Sequence, residues 1–212
     1  PLALLGGVDA GGQNVHVAAL AQALAARGAE VVVHTRRDDP TLPRRVEFAP
    51  GVVVDHVDAG PPEPLSKDLL AGWMDAFADD LVDQWSHERP DVVHAHFWMS
   101  GIASVLAGDR TGVPVALTYH ALGAEKRRHQ GAEDTSPPGR IAVESWLAAS
   151  VDHVVSTTAA EGRTVTSMGA DRGAVSVVPC GVDLRRFGTD GPSAPPRIAG
   201  RTRIACISRL VP

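Results

Sequence analysis

Asp91-Val92-Val93-His94-Ala95-His96-Phe97-Trp98 sets a short apolar run against two histidines and an aromatic pair, and the reading of this stretch decides the fold. A strand alternates its side chains, so His94 and His96 fall on one face at the carboxyl end of such a strand. Runs of the same β-branched kind recur on both sides: Val31-Val32-Val33 and Val52-Val53-Val54 before it, residues 113–117, Val154-Val155 and residues 175–178 after it. Each is short and apolar throughout rather than alternating, the pattern of a strand buried on both faces.

Helical segments separate the runs. Residues 15–26 place Val15, Val17, Leu20, Ala21 and Leu24 near helical spacing, with Gly28 as a stop signal. Residues 69–85, 101–107, 140–149 (after Pro137-Pro138) and 159–168 (before Gly169) supply four more. This alternation predicts an α/β fold, a Rossmann-like doubly wound parallel sheet covered by helices. A glycine turn that opens a helix, Gly11-Gly12-Gln13-Asn14, ordinarily follows a strand, yet residues 2–5 are short for a central one. The expectation is a first strand lying upstream of Pro1. Toward the other end, residues 188–202 are polar and proline-rich and read as a linker, and an apolar run from Ile204 reads as the opening strand of a second domain. The expected organisation is therefore a domain over 1–187, a linker over 188–202 and the first strand of another domain over 203–212, truncated at both ends.

Composition narrows the chemistry. A chain of 212 residues with 44% apolar content can bury one sizeable core. A formal net charge of −5 and the lack of a long Lys/Arg run argue against a nucleic-acid surface, which needs clustered cations to neutralise phosphates. Two cysteines, Cys180 and Cys206, suggest neither a disulfide framework nor a metal cluster, and a reducing, cytoplasmic setting is expected. No apolar run approaches the roughly 18 residues of a membrane span, and no transmembrane segment is expected.

Three constellations carry candidate chemistry. Gly6-Gly7 and Gly11-Gly12 flank Asp9, and the second pair opens a helix, so backbone N–H groups there can meet a ligand oxygen or simply start the helix. The spacing is not the dinucleotide fingerprint, since the third glycine is missing. His94 and His96 suit either a metal or the lining of a cleft at the carboxyl end of the sheet. No third ligand of matching spacing accompanies them, so the cleft is expected and no metal. His120 closes Leu117-Thr118-Tyr119-His120 and is followed by Lys126, Arg127, Arg128 and His129, then by a loop through Gly131 and Ser136. That set fits an anionic ligand or a solvated basic turn. Arg140 and Glu144, one helical turn apart, read either as a charged donor with its partner or as a surface ion pair. Val178-Pro179-Cys180-Gly181-Val182-Asp183 marks a sharp exit from the sheet, and Arg209 follows the last apolar run.

Taken in order, these blocks resemble the retaining glycosyltransferases of family 4, whose members include sucrose-phosphate synthases and the mycothiol-pathway glycosyltransferase. The resemblance spans nearly the whole chain and rests on Gly11-Gly12-Gln13-Asn14-Val15, residues 91–98, Thr118-Tyr119-His120-Ala121-Leu122-Gly123 with Lys126, Arg140 with Glu144, residues 178–183 and Ser208-Arg209-Leu210. It implies a GT-B fold, with this chain as the acceptor-binding N-terminal domain. It implies transfer of a hexosyl group from a nucleotide sugar such as a UDP- or GDP-hexose to a sugar or a sugar- or polyol-phosphate acceptor. No cofactor is implied, and a homodimer is compatible with the family. By the same resemblance His120 and Arg209 are catalytic, while Gly11, Gly12, Gln13, Asn14, Lys67, His96, Trp98, Lys126, Arg140 and Glu144 bind the acceptor. Ala121 departs from the family, which carries a hydroxyl residue at that place. Two other readings stay open: an NAD(P)-dependent oxidoreductase, which lacks its ribose-binding acid because the second strand runs into Thr35-Arg36-Arg37, and a non-catalytic sugar-phosphate-binding module.

Overall fold

The structure is a computed structural model that describes residues 11–184, 187–188, 190–191, 200–202 and 204. Residues 2–5, the run beyond Ile204, and Arg209 lie outside the described residues, and so does most of the expected linker. The chain divides into two units, Pro1–Cys180 and Gly181–Pro212.

The first unit is α/β. Helix α1 (Gly12–Ala25) is followed by β1 (Val31–Arg36), β2 (Arg45–Ala49) and β3 (Val52–Val57); then come α2 (Met74–His87), β4 (Val93–His96), α3 (Trp98–Thr111) and β5 (Val115–Thr118). Helix α4 (Gly123–Gln130), α5 (Arg140–Ser150), β6 (His153–Ser156), α6 (Ala159–Ser167) and β7 (Val175–Val177) complete it. Among the described residues the strands form two sheets, β1-β3-β2 and β4-β5-β6-β7. The second is wholly parallel; in the first, β1 runs parallel to β3, from Val31 opposite Val52 to Arg36 opposite Val57.

The core lies in the second sheet and the helices on it. Leu117, Leu147 and Val165 are fully buried, with Tyr119, Val154, Ala107 and Leu81 around them. Helix α3 sits unusually close to β5 because Gly108 has no side chain: a Cβ there would stand 2.8 Å from Val115 Cγ2 and 2.9 Å from the Val113 carbonyl. Close approach of this kind fixes the carboxyl ends of β4 and β5, where the candidate site lies.

Several local readings need correction. Strand β2 was not expected. It pairs antiparallel with β3, and Arg45 to Phe48 are exposed, so it lacks the apolar signature of a buried strand. No helix was expected over residues 123–130, which form α4; its helix formers carry no apolar stripe to reveal it. Strand β1 is half-buried rather than covered on both faces. The expected helix over 69–85 begins as a 3₁₀ segment, Lys67–Trp73, before α2 takes over.

Candidate functional site

Strands β4 and β5 are neighbours in register, with His96 opposite Thr118, so their carboxyl ends deliver side chains to one place. Both ends leave ordinary backbone geometry. Phe97, the residue between β4 and α3, has φ 80° and ψ 156°, a region that favours glycine strongly; His120 follows β5 at φ 60°. Each such conformation costs on the order of 1–3 kcal/mol and persists only where the surroundings over-determine it. Here the Phe97 amide donates to the Thr118 carbonyl (2.9 Å), and the Gly101 amide of α3 donates to the Phe97 carbonyl (3.0 Å).

Four imidazoles gather at this point. The His94 and His96 rings lie 4.2 Å apart, those of His96 and His120 5.2 Å, and His16 from α1 stands edge-on to His96 (5.7 Å) and His120 (5.2 Å). His96 Nδ1 and His120 Nε2 are 2.9 Å apart, so one proton is shared between them. His94 Nε2 is 2.9 Å from Thr118 Oγ1. That hydroxyl already donates to the Val155 carbonyl (3.0 Å), so it must accept from His94, which fixes His94 as the Nε2–H tautomer. Burial first, and then the neighbouring imidazoles, push the histidines down: His94 to about 4, His120 to about 4 and His96 to about 2. His94, His96 and His120 are therefore neutral at physiological pH. Gln13, in the first turn of α1, donates to the His96 carbonyl (3.2 Å) and ties the glycine turn to the same strand end. At Gly11 and Gly12 an added Cβ would meet nothing within 4 Å among the described residues.

Beside the imidazoles a cavity of about 130 Å³ is lined by Lys67, Phe97, Trp98, Ala121, Lys126, Ser136 and Arg140, among others. Its floor is aromatic, with Lys67 Nζ 4.4 Å above the Phe97 ring and the Arg140 guanidinium carbon 5.0 Å from Phe97 and 5.9 Å from Trp98. Arg140 and Glu144 are no surface pair. Their side chains are 6% and 0% exposed, and Arg140 Nε donates to Glu144 Oε1 at 2.7 Å. Glu144 Oε2 accepts from the Gly123 amide (2.8 Å), anchoring the first turn of α4. Gly123 must be small, because a Cβ would stand 3.0–3.2 Å from the Arg140 side chain. Arg140 Nη2 donates to the Ala121 carbonyl at 2.7 Å.

The site residues expected from sequence thus fall into three groups. Gln13, His96 and His120 meet at the imidazole cluster, with Gly11, Gly12 and Asn14 in the adjoining turn. Lys67, Trp98, Lys126 and Arg140 line the cavity, and Glu144 lies behind Arg140. Arg209 lies outside the described residues. Of the basic run, only Lys126 reaches the cavity; Arg127, Arg128 and His129 are at least half exposed on α4. Sequence reasoning missed His16 and the pair Asp134 and Ser136. His16 sits one helical turn beyond Gly12 and could have been found by projecting α1 onto β4. The pattern Asp134-Thr135-Ser136-Pro137 is an Asx-turn signal, but it says nothing about which cations it would meet.

Comparison with known proteins places this arrangement. The family model described as Glycosyltransferase Family 4 matches residues 10–186. The D-inositol 3-phosphate glycosyltransferase of Streptomyces scabiei is 40% identical over 210 residues, covering 96% of this chain and 46% of that protein. The protein of the same name from Streptomyces coelicolor is 41% identical over 192 residues, covering 88% of this chain and 42% of that one. The chain spans about half the length of the curated relatives it matches. Among solved structures, sucrose-phosphate synthase from Thermosynechococcus elongatus superposes with a TM-score of 0.76 at 26% identity, over 82% of this chain and 44% of that one. The fold is accordingly that of a Rossmann-like domain of the GT-B type, and with the family model covering most of its length the chain belongs to Glycosyltransferase Family 4.

Proposed function

We propose that this chain is the acceptor-holding part of a longer retaining glycosyltransferase, which moves a hexosyl group from a nucleotide sugar to a phosphorylated polyol or sugar. The observation that carries the reading is the cavity in which Lys67, Lys126 and Arg140 converge over Phe97 and Trp98, next to His120. Three cations on an aromatic floor suit an anion attached to a compact ring, and the relatives named for D-inositol 3-phosphate make that compound the first acceptor to test.

The chemistry follows from the charges. Departure of a nucleoside diphosphate develops negative charge, so a cation poised there lowers the barrier more than it aids ground-state binding. Arg209 is assigned that role by its family motif. The neutral His96–His120 pair offers hydrogen bonds to sugar hydroxyls without adding charge, and the glycine turn at Gly11-Gly12 presents amides to the acceptor. With the acceptor's phosphate held in the cavity, its reacting hydroxyl is oriented toward the donor, which converts an encounter between two substrates into reaction at a fixed geometry. Retention of anomeric configuration through front-face attack needs no protein nucleophile, and none is assigned.

The test is glycosyl transfer by the full-length gene product with a panel of nucleotide sugars and of phosphorylated and unphosphorylated acceptors. Transfer confined to phosphorylated acceptors is expected; absence of transfer to every acceptor overturns the reading. His120→Ala separates catalysis from mere binding, because it should abolish turnover while phosphate binding survives.

A further inference from the structure

Asp134 and Ser136 occupy the turn between α4 and α5. Asp134 Oδ1 accepts from the Ser136 amide (2.9 Å) and from Lys126 Nζ (3.0 Å), and Oδ2 lies 3.8 Å from Arg127 Nε. The Asp134 side chain is 3% exposed, and the Ser136 hydroxyl and amide, followed by Lys126, hold its carboxyl well below the usual range. Ser136 Oγ accepts from Lys126 Nζ at 3.0 Å and from Arg140 Nη1 at 3.2 Å. A single hydroxyl oxygen thus links two cations that come from different helices.

A count of protons shows what this leaves for a ligand. An ammonium carries three N–H donors and a guanidinium five. Lys126 gives one to Asp134 and one to Ser136, which leaves one. Arg140 gives one to Glu144, one to Ser136 and one to the Ala121 carbonyl, which leaves two. Three donors remain on two cations held at a spacing set by their common oxygen, and a phosphoryl group presents three strong acceptor oxygens. The charge balance runs the other way. Glu144 already offsets Arg140, and Asp134 places a second negative charge directly on Lys126, where it opposes an incoming anion.

We propose that Asp134 and Ser136 form a bracket that sets the phosphoryl affinity of the cavity, Ser136 raising it by fixing the spacing of Lys126 and Arg140, and Asp134 lowering it by competing for Lys126. The inference rests on the reading of the cavity as an anion site. Both are positioning residues, since they act through the two cations. Such a bracket makes ligand release easier than three uncompensated cations would allow, and it ties affinity to the conformation of one short turn.

The two variants have opposite expected signs, which a merely structural turn would not produce. Inorganic phosphate is titrated into the full-length protein and its variants, with binding followed by phosphorus NMR. Ser136→Ala is expected to weaken binding about 10-fold and Ser136→Thr to stay within about 3-fold of the parent, in line with loss and retention of a charge-assisted hydrogen bond. Asp134→Asn is expected to strengthen binding about 3- to 10-fold at low salt, with the gain shrinking at high salt as screening removes the difference. An Asp134→Asn variant that binds phosphate no better than the parent, or a Ser136→Ala variant that binds as well, overturns the bracket. Lys126→Ala distinguishes the two levels of failure. If it abolishes binding while Ser136→Ala and Asp134→Asn change nothing, the anion site stands and the bracket falls. If it binds phosphate like the parent, the anion site falls and the bracket with it. Thermal unfolding accompanies every variant, and should Ser136→Ala fail to fold, Asp134→Asn at two salt concentrations decides.

Discussion

Two regions of the molecule each pair a guanidinium with a fully buried carboxylate, yet they do opposite things with it. In the β1-β3-β2 layer, Arg44 donates to Asp55 (2.7 Å), bonds Asp80 of α2 and lies 3.8 Å from Asp58. Asp55 is fully buried; burial alone would raise its pKa, but the bonds from His34 and Arg44 more than offset this and hold it well below the carboxylate range. That network is rich in carboxylates and clamps the edge strand β2 to α2 and β3. In the β4–β7 layer, Arg140 faces a single carboxylate, Glu144, and shares a cavity with Lys67 and Lys126. Pairing with a buried carboxylate is common to both, but Arg44 is 35% exposed where Arg140 is 6%. A surplus of cationic donors toward a cavity is what marks the second as a place for a ligand, whereas the first closes on itself.

The comparison can be tested from its strongest consequence downward. Glu144→Ala should destabilise the protein by about 3–5 kcal/mol in denaturant unfolding, because it strands Arg140 without its partner; Asp55→Ala should cost less, because Arg44 is 35% exposed and keeps Asp80. A loss below about 1 kcal/mol at either site would show that the pair is solvated rather than buried. The two arginines should then separate by function. On the proposed function, Arg140→Lys in the full-length protein should raise the KM for a phosphorylated acceptor at least ~10-fold, the loss of one forked contact worth about 1.4 kcal/mol or more, whereas Arg44→Lys should leave that KM unchanged while lowering Tm. Equal KM values in both variants would erase the distinction drawn above.

Acid should reach the two regions in different windows. His94 and His120 have folded values near 4 against an unfolded value of about 6.5. Below pH ~6.5 the unfolded chain therefore takes up protons that the folded chain refuses, and stability falls until the folded values are reached near 4. Asp55 behaves in the other sense: its depressed pKa gives stability that is complete above about 4 and lost only as pH falls further. Tm measured from pH 7.5 to 5 should drop by several degrees, about 1–3 kcal/mol after solvent screening, and replacing His96 by Asn should flatten the curve. A curve that is already flat in the parent would contradict the neutral cluster. The smallest effect belongs to the exposed edge: Phe48→Thr on β2, 39% exposed, should alter stability by no more than ~0.5 kcal/mol.

How much of this could be read beforehand depended on the kind of signal each element carries. Strands such as Val52–Val57 announce themselves through the three successive valines that open them, even though Asp55 and His56 follow on the same buried strand. Helices α3 and α5 show through small and apolar residues at helical spacing. Strand β2 and helix α4 were invisible for the same reason: their stability comes from pairing and from charged contacts at positions distant in sequence, such as Arg45 with Glu88 (2.7 Å), and leaves no periodic apolar trace. The histidine pair was legible to the extent that His94 and His96 share a face, but the 2.9 Å contact between His96 and His120 depends on the register of β4 with β5. Lys67 was named only through the family resemblance, and Lys126 and Arg140 could be read as candidate anion ligands on their own segments but not as neighbours, because three separate segments supply the cations and no spacing along the chain encodes their meeting.

The backbone at Phe97 and His120 carries a further consequence for anyone engineering this scaffold. Glycine would relax His120, whose side chain is only partly buried, whereas at Phe97 the ring it would remove is 7% exposed and contributes more than the strain costs, so selection for heat tolerance alone would be drawn to residue 120. The hardier proteins so obtained would have given up an imidazole, and a library of this family should therefore be sorted on turnover before it is sorted on melting.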